Sequence, residues 1–198
     1  VLPPKVAPMQ IVIVPIYRND EGRDKVLPKV EEIRTELESK EIRDHVDDRE
    51  GLSTGYKIND WEMKGLPIRI EIGPKDIEKE SVVLAKRHNL EKTSLGFNEI
   101  EKISTILDEI QVEMLKKAKE EAEINTVEIS TYSDFKSKIE IGGFFHSPWC
   151  GKQECEEKIK DETGAEIRVI PFESNNTTQK CIYCQEQSVS IPNFARGY

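Results

Sequence analysis

An open, mixed α/β sheet with packed helices, followed by a small α+β unit, is the fold class this sequence predicts. Three observations carry it. Strand-like and helix-like hydrophobic periods alternate through the first half of the chain. A long helical stretch then loses its apolar stripe and turns to Lys and Glu. Finally, all four cysteines sit in two close pairs near the C-terminus.

The elements follow in order. Gln10 to Tyr17 (QIVIVPIY) is a short β-branched run suited to a buried strand. A helix is expected from Asp24 to Lys40, with Val30, Ile33 and Leu37 on one face and acidic residues on the other. Glu41 to Asp47 reads as a second strand, ended by the charged turn Asp47 to Gly51. A short helix or loop spans Tyr56 to Lys64. Leu66 to Gly73 alternates, which predicts Leu66, Ile68, Ile70 and Ile72 facing one way and Arg69 and Glu71 facing solvent. Pro74-Lys75-Asp76 breaks that strand, and Ser81 to Arg87 resumes one.

A long helix is expected from about Glu99 to Glu123. Asn98 is its N-cap, with Glu101 three positions on, and its stripe runs Ile100, Ile103, Ile106, Leu107, Ile110, Met114 and Leu115. Past the stripe the helix reads as a solvated connector. The expected boundary near Ala118 separates a domain at 1–117 from one at 118–198. The second offers strands at Thr126–Ser130, Gly142–His146 and Glu166–Phe172. Between them lie a helix at Ser133–Ile139 and another through Glu162, capped by Gly164.

The cysteines read C-x4-C, a 25-residue gap and C-x2-C: Cys150, Cys155, Cys181 and Cys184. Two such pairs suit a tetrahedral zinc with sulfurs at about 2.3 Å, a closed and therefore structural site. Two disulfides are the first rival, but those frameworks belong to small secreted domains. A redox pair at Cys181 and Cys184 is the second, and it should open a helix after a strand rather than follow the polar run Ser174 to Lys180. His146, four residues before Cys150, is either a substitute ligand or a strand end.

Composition excludes several classes. The chain has 198 residues, 36% hydrophobic and 34% charged, and no apolar run approaches the roughly 20 residues of a membrane helix. A formal net charge of −9 disfavours nucleic-acid binding through a general basic field, so any RNA contact must be local. The start Val1-Leu2-Pro3-Pro4, without methionine, is what a fragment of a longer protein would show.

Several segments, in order and spacing, resemble a known family. They are Val1 to Pro4 leading to Gln10–Ile16, then Gly55-Tyr56-Lys57, Trp61-Glu62, Lys64-Gly65, Pro67 to Asp76 and Val82 to Arg87. Trp149-Cys150, Gly164-Ala165, the paired cysteines and Phe194 to Tyr198 complete the set. Together they resemble the C-terminal half of prolyl-tRNA synthetase of the archaeal and eukaryotic type.

The resemblance implies a class II anticodon-binding fold followed by a C-terminal zinc-binding domain, from a cytoplasmic and homodimeric ligase. The ATP-using catalytic core of the same polypeptide, which joins proline to its tRNA, would precede this chain. No residue here is expected to be catalytic. The expected partner is the anticodon loop of a proline tRNA, whose two guanines offer N1–H and N2–H donors to carboxylates and O6 to cations. Arg49, Lys57, Glu62, Arg69 and Glu71, with Asp48, supply that mixture near one sheet edge, and Lys75 and Asp76 lie at a possible helix N-terminus. Trp61 is either a core anchor or a stacking platform. The terminal Tyr198, after Ile191 and Phe194, would dock toward the catalytic domain. The sequence departs from the usual knuckle in placing Gln185, not glycine, after Cys184, and in the polar Ser174–Gln179 stretch. The rival functions are a free-standing zinc-stabilised interaction module and a CxxC oxidoreductase.

Overall fold

The computed structural model describes residues 1–174 and 178–197. The chain divides into two compact units, Val1–Lys117 and Ala118–Tyr198.

The first unit is a five-stranded sheet in the order β2-β1-β3-β4-β5, from β1 (Ile11–Pro15), β2 (Asp44–Val46), β3 (Ile68–Ile72), β4 (Ser81–Lys86) and β5 (Lys92–Gly96). Strands β2, β1 and β3 run parallel, while β3, β4 and β5 form an antiparallel meander. Burial of every β1 residue explains its unbroken apolar run. Ile11 and Ile13 join Ile68, Ile70, Ile72, Val82 and Leu84 on one face. Against them pack α1 (Asp20–Ser39), through Val26, Val30, Ile33 and Leu37, and α4 (Ile103–Ile124), through Ile103, Leu107 and Ile110. Val12 and Val14 point the other way, to Trp61 of α2 (Thr54–Met63).

The structure moves several expected boundaries. Helix α1 starts at Asp20, not Asp24, because the Asn19 side chain accepts from the Gly22 N–H and closes an earlier cap. Strand β2 keeps only three residues of the expected seven. Pro74 does not merely break β3: it occupies the first turn of α3 (Pro74–Glu78). Leu66 lies outside β3 and belongs with Val12 and Val14, not with the Ile68 face. Asn98 caps nothing, since a 3-10 segment over Phe97–Lys102 precedes α4 and the Glu99 carboxylate accepts from the Gly96 N–H instead. Leu115 is exposed, so the buried stripe of α4 is shorter than expected.

The second unit holds a four-stranded sheet in the order β6-β7-β9-β8, from β6 (Thr126–Glu128), β7 (Phe144–His146), β8 (Ala165–Val169) and β9 (Asn193–Arg196). Helices α5 (Tyr132–Ile139) and α6 (Gln153–Thr163) complete it. Thr131 caps α5 through Asp134 N–H, and Gly164 ends α6 at φ 72°, the left-handed conformation glycine adopts without strain. Phe135, Phe145 and Phe194 form edge-to-face pairs at 6.0 and 5.4 Å around a core with Ile139, Ile159 and Ile182.

Strand β9 was not expected. The chain's end, read as a docking tail, contributes an interior strand, with Phe194 fully buried. Tyr198 itself lies outside the described residues, as does part of the Ser174–Gln179 stretch.

Candidate nucleic-acid interface and metal centre

The parity of β3 places Arg69 and Glu71 on the face opposite Ile68, Ile70 and Ile72, the face α2 covers only in part. Two expectations fail here. Strand β3 is the centre of the sheet, not an edge, and Arg69 does not face solvent: it is 4% exposed. Its guanidinium is enclosed by carboxylates. Nε and Nη2 donate to Glu71 Oε1 at 2.9 and 2.8 Å, and Nη1 donates to Glu62 Oε1 at 2.7 Å. Arg87 approaches Glu62 at 3.4 Å, and Lys92 of β5 donates to Glu71 at 3.1 Å. Burial pushes the Glu71 carboxyl up, but Arg69 and Lys92 outweigh it and hold the pKa below its ordinary value. Two carboxylate groups, Glu62 and Glu71, are thereby fixed beside an exposed ammonium.

Sequence reasoning missed Arg87 and Lys92 as members of this network. Asn89, in the turn at 87–89 between β4 and β5, was the available sequence sign of the hairpin. Strand β5 exposes Lys92, Thr93 and Ser94, so no apolar alternation announced it.

A second cluster centres on Asp47, read from sequence only as a strand end. This fully buried carboxylate accepts from Arg49 Nε at 2.9 Å, Arg49 Nη2 at 2.7 Å and Trp61 Nε1 at 2.9 Å. Its main-chain oxygen accepts from Lys57 Nζ at 3.1 Å. Arg49 also pairs with Asp60, so its guanidinium, at the surface, is engaged by two carboxylates. Trp61 is an anchor, half-buried against His45 with its N–H satisfied. Asp48 lines a separate groove with Glu31 and Asp44. Asp76 accepts from Gly73 N–H at 2.8 Å, capping α3.

Burial opposes ionisation of Asp47, yet the Arg49 and Trp61 bonds win and lower its pKa to about 2 from 3.8. A depressed carboxylate stabilises the fold above its unfolded pKa and loses that stabilisation as pH falls through the folded one. About 2 kcal/mol of first-unit stability should therefore vanish between pH 4 and 2. Asp47→Asn should be less stable at neutral pH and flatter over that window, followed by acid unfolding monitored at the Trp61 indole. Equal acid slopes for the two proteins would refute the assignment.

In the second unit the four cysteines converge. Their sulfurs all lie within 4.8 Å of one another, with Cys150, Cys155 and Cys181 buried and Cys184 half-buried. Cys155 opens α6, and the Cys181–Cys184 turn is closed by Gln185 N–H to Cys181 O at 3.0 Å and Cys181 N–H to Glu186 O at 2.7 Å. Each pair is followed or interrupted by a left-handed residue, Gly151 at φ 82° and Gln185 at φ 62°. The glycine expected after Cys184 is thus replaced by a residue that adopts the same backbone, its amide donating to Cys181 O at 3.2 Å.

Lys152 N–H donates to the Cys150 sulfur and Glu186 N–H to that of Cys184. Burial raises the Cys150 and Cys155 thiols. Burial also opposes ionisation at Cys184, but the Glu186 N–H and the neighbouring sulfurs bring it below its ordinary value. A tetrahedral four-sulfur shell at 2.3 Å needs sulfurs about 3.8 Å apart, so this cluster fits one metal ion with a small contraction. Cys181 does not open a helix, which removes the setting a redox pair requires. His146 is placed in β7 and is outside the cluster.

Comparison with known proteins follows the same division. A family model described as "Anticodon binding domain" matches residues 10–106, and one described as "Prolyl-tRNA synthetase, C-terminal" matches 132–198. The whole chain aligns with proline–tRNA ligase 2 of Clostridioides difficile at 42% identity and with the proline–tRNA ligases of Acetoanaerobium sticklandii at 43% and Cenarchaeum symbiosum at 45%. The chain belongs to the prolyl-tRNA synthetase family. It is covered in full in each of these alignments and spans 41% of each relative's length. Within the prolyl-tRNA synthetase family it corresponds to the C-terminal part. Among the described residues no helix is long and apolar enough to cross a membrane.

Proposed function

We propose that this chain is the tRNA-recognition part of a cytoplasmic proline–tRNA ligase, binding the anticodon loop of a proline tRNA. A catalytic domain of the same polypeptide would attach proline using ATP, in a homodimeric enzyme. The observation that carries the reading is the braced carboxylate pair. Glu62 and Glu71 are held in place by Arg69 on the partly open face of an anticodon-domain sheet, where a guanine's N1–H and N2–H can be accepted. Lys92 stands beside them with a donor for O6. Arg69 acts on this reading as a positioning residue rather than a base contact, because it is 4% exposed and each of its three nitrogens already donates to Glu62 or Glu71.

Residues 1–117 would form the anticodon-binding domain and 118–198 the zinc-binding domain. Cys150, Cys155, Cys181 and Cys184 would hold a structural zinc, leaving no position for substrate. Three further expected contacts receive narrower roles: Arg49 supports Asp47, Asp76 caps α3, and Lys57 lines a pocket beside the sheet. Tyr198 would pack toward the catalytic domain of the parent. Binding to a proline tRNA, with and without its two anticodon guanines, tests this reading.

A further inference from the structure

At one end of the first unit lies a concavity of about 370 Å³ that none of the assigned roles uses. It is lined by Pro15 at the end of β1, by Tyr17 to Asp20 and Arg23 at the start of α1, and by Arg49 to Leu52, Thr54 and Lys57 around the start of α2. Four of these side chains are cationic (Arg18, Arg23, Arg49 and Lys57) and two are anionic, Asp20 and Glu50. In a chain of net charge −9 that local excess is against the trend.

The cations differ in how far they are already engaged. Arg49 is taken by Asp47 and Asp60. Arg23 reaches only Glu50, at 4.0 Å, and Arg18 has no hydrogen-bond or ion-pair partner among the described residues. Lys57 is the informative one. It is 8% exposed, and its ammonium makes one hydrogen bond, to the neutral main-chain oxygen of Asp47. Among the described residues no carboxylate pairs with it. A buried charge is ordinarily paired, and two of this ammonium's three donors are unused. The start of α2 adds backbone N–H groups: Ser53 caps Tyr56 N–H, the first turn holds no acidic residue, and an added Cβ at Gly55 would meet nothing within 4 Å. Amides and cations around an open, positive hollow suit a tetrahedral oxyanion.

We infer that this pocket binds a phosphate group, one of the RNA backbone, with Lys57 as the buried counter-charge and Arg18 and Arg23 as its outer clamp. The inference rests on the tRNA reading for its source of phosphate and adds a contact that positions the RNA without reading sequence.

The test uses the full chain and two variants, Lys57→Met and Arg18→Ala with Arg23→Ala, against a proline tRNA and a transcript lacking the anticodon guanines. Lys57→Met should weaken both RNAs about tenfold, the loss of one charge-assisted hydrogen bond. Both variants should lower the slope of log affinity against log salt by about 1 or more while preserving the preference for guanine. The arginine pair is exposed, so its variant keeps the question open should Lys57→Met fail to fold. Unchanged affinity and slope in the arginine variant, with guanine preference intact, would overturn the phosphate contact and leave the anticodon reading standing. Should the wild-type chain show no guanine preference, the anticodon reading fails. Titration with inorganic phosphate then decides the pocket alone: saturable shifts of the Thr54 and Gly55 amides support a phosphate site, and their absence overturns it.

Discussion

Cys181→Ser is expected to release the metal and unfold the second unit while leaving the first intact. Cys181 is fully buried, and its neighbours Ile182 and Tyr183 pack into the same core as Phe135 and Phe194. Losing one thiolate therefore disturbs both the metal shell and the hydrophobic cluster. Structural zinc contributes on the order of 10 kcal/mol to small domains that depend on it, far more than a core of this size can spare. The chain has two tryptophans, Trp61 in the first unit and Trp149 beside Cys150 in the second. In the variant the Trp149 indole resonance should collapse to its unfolded position and the Trp61 resonance stay in place. Zinc content should fall from about one ion per chain to near zero. Retained metal and an unshifted Trp149 signal would refute the four-cysteine centre.

The second large effect concerns Arg69. Replacing it by Met keeps much of the packing volume but leaves Glu62 and Glu71 facing each other, with only Arg87 and Lys92 to balance them. Breaking a buried pair on one side costs roughly 3 kcal/mol at neutral pH. Burial, no longer opposed by Arg69, should carry the Glu71 pKa above its unfolded value. A group with a raised folded pKa destabilises when ionised, so the deficit should be largest at pH 7 and shrink as pH falls toward 4. Guanine preference should go with it, since the acceptors are no longer held. A pH-independent deficit, or an unchanged preference, would remove Arg69 from its positioning role.

Much of this architecture was legible in the sequence, and the failures at the charged side chains share a cause. Buried elements with a strong period were found: β1, α1 and the apolar stripe of α4 all declare themselves through residues that lack water on one side or both. What the sequence hides is pairing. Arg69 and Glu71 alternate with isoleucines just as solvated charges do, and the fold alone, with α2 bringing Glu62 over them, turns that face into a partly open ion network. Asp47 looked like a charged turn because its partners, Arg49 and Trp61, are two and fourteen residues on. Strand β5 and strand β9 were missed for opposite reasons. The first is an edge strand too polar to show a period, and the second is a four-residue strand whose neighbours in the sheet are distant in sequence. The cysteine cluster was readable because ligand spacing is a local constraint, whereas the left-handed Gln185 emerges only from the backbone.

The central claim is that the braced pair Glu62 and Glu71 lets this chain recognise a proline anticodon. Equilibrium binding of the full chain to a proline tRNA transcript, measured beside a transcript whose two anticodon guanines are replaced by adenine, tests it most directly. Losing the N2–H and O6 partners should weaken binding about tenfold or more at a fixed salt concentration. Equal affinity for the two transcripts would contradict the claim.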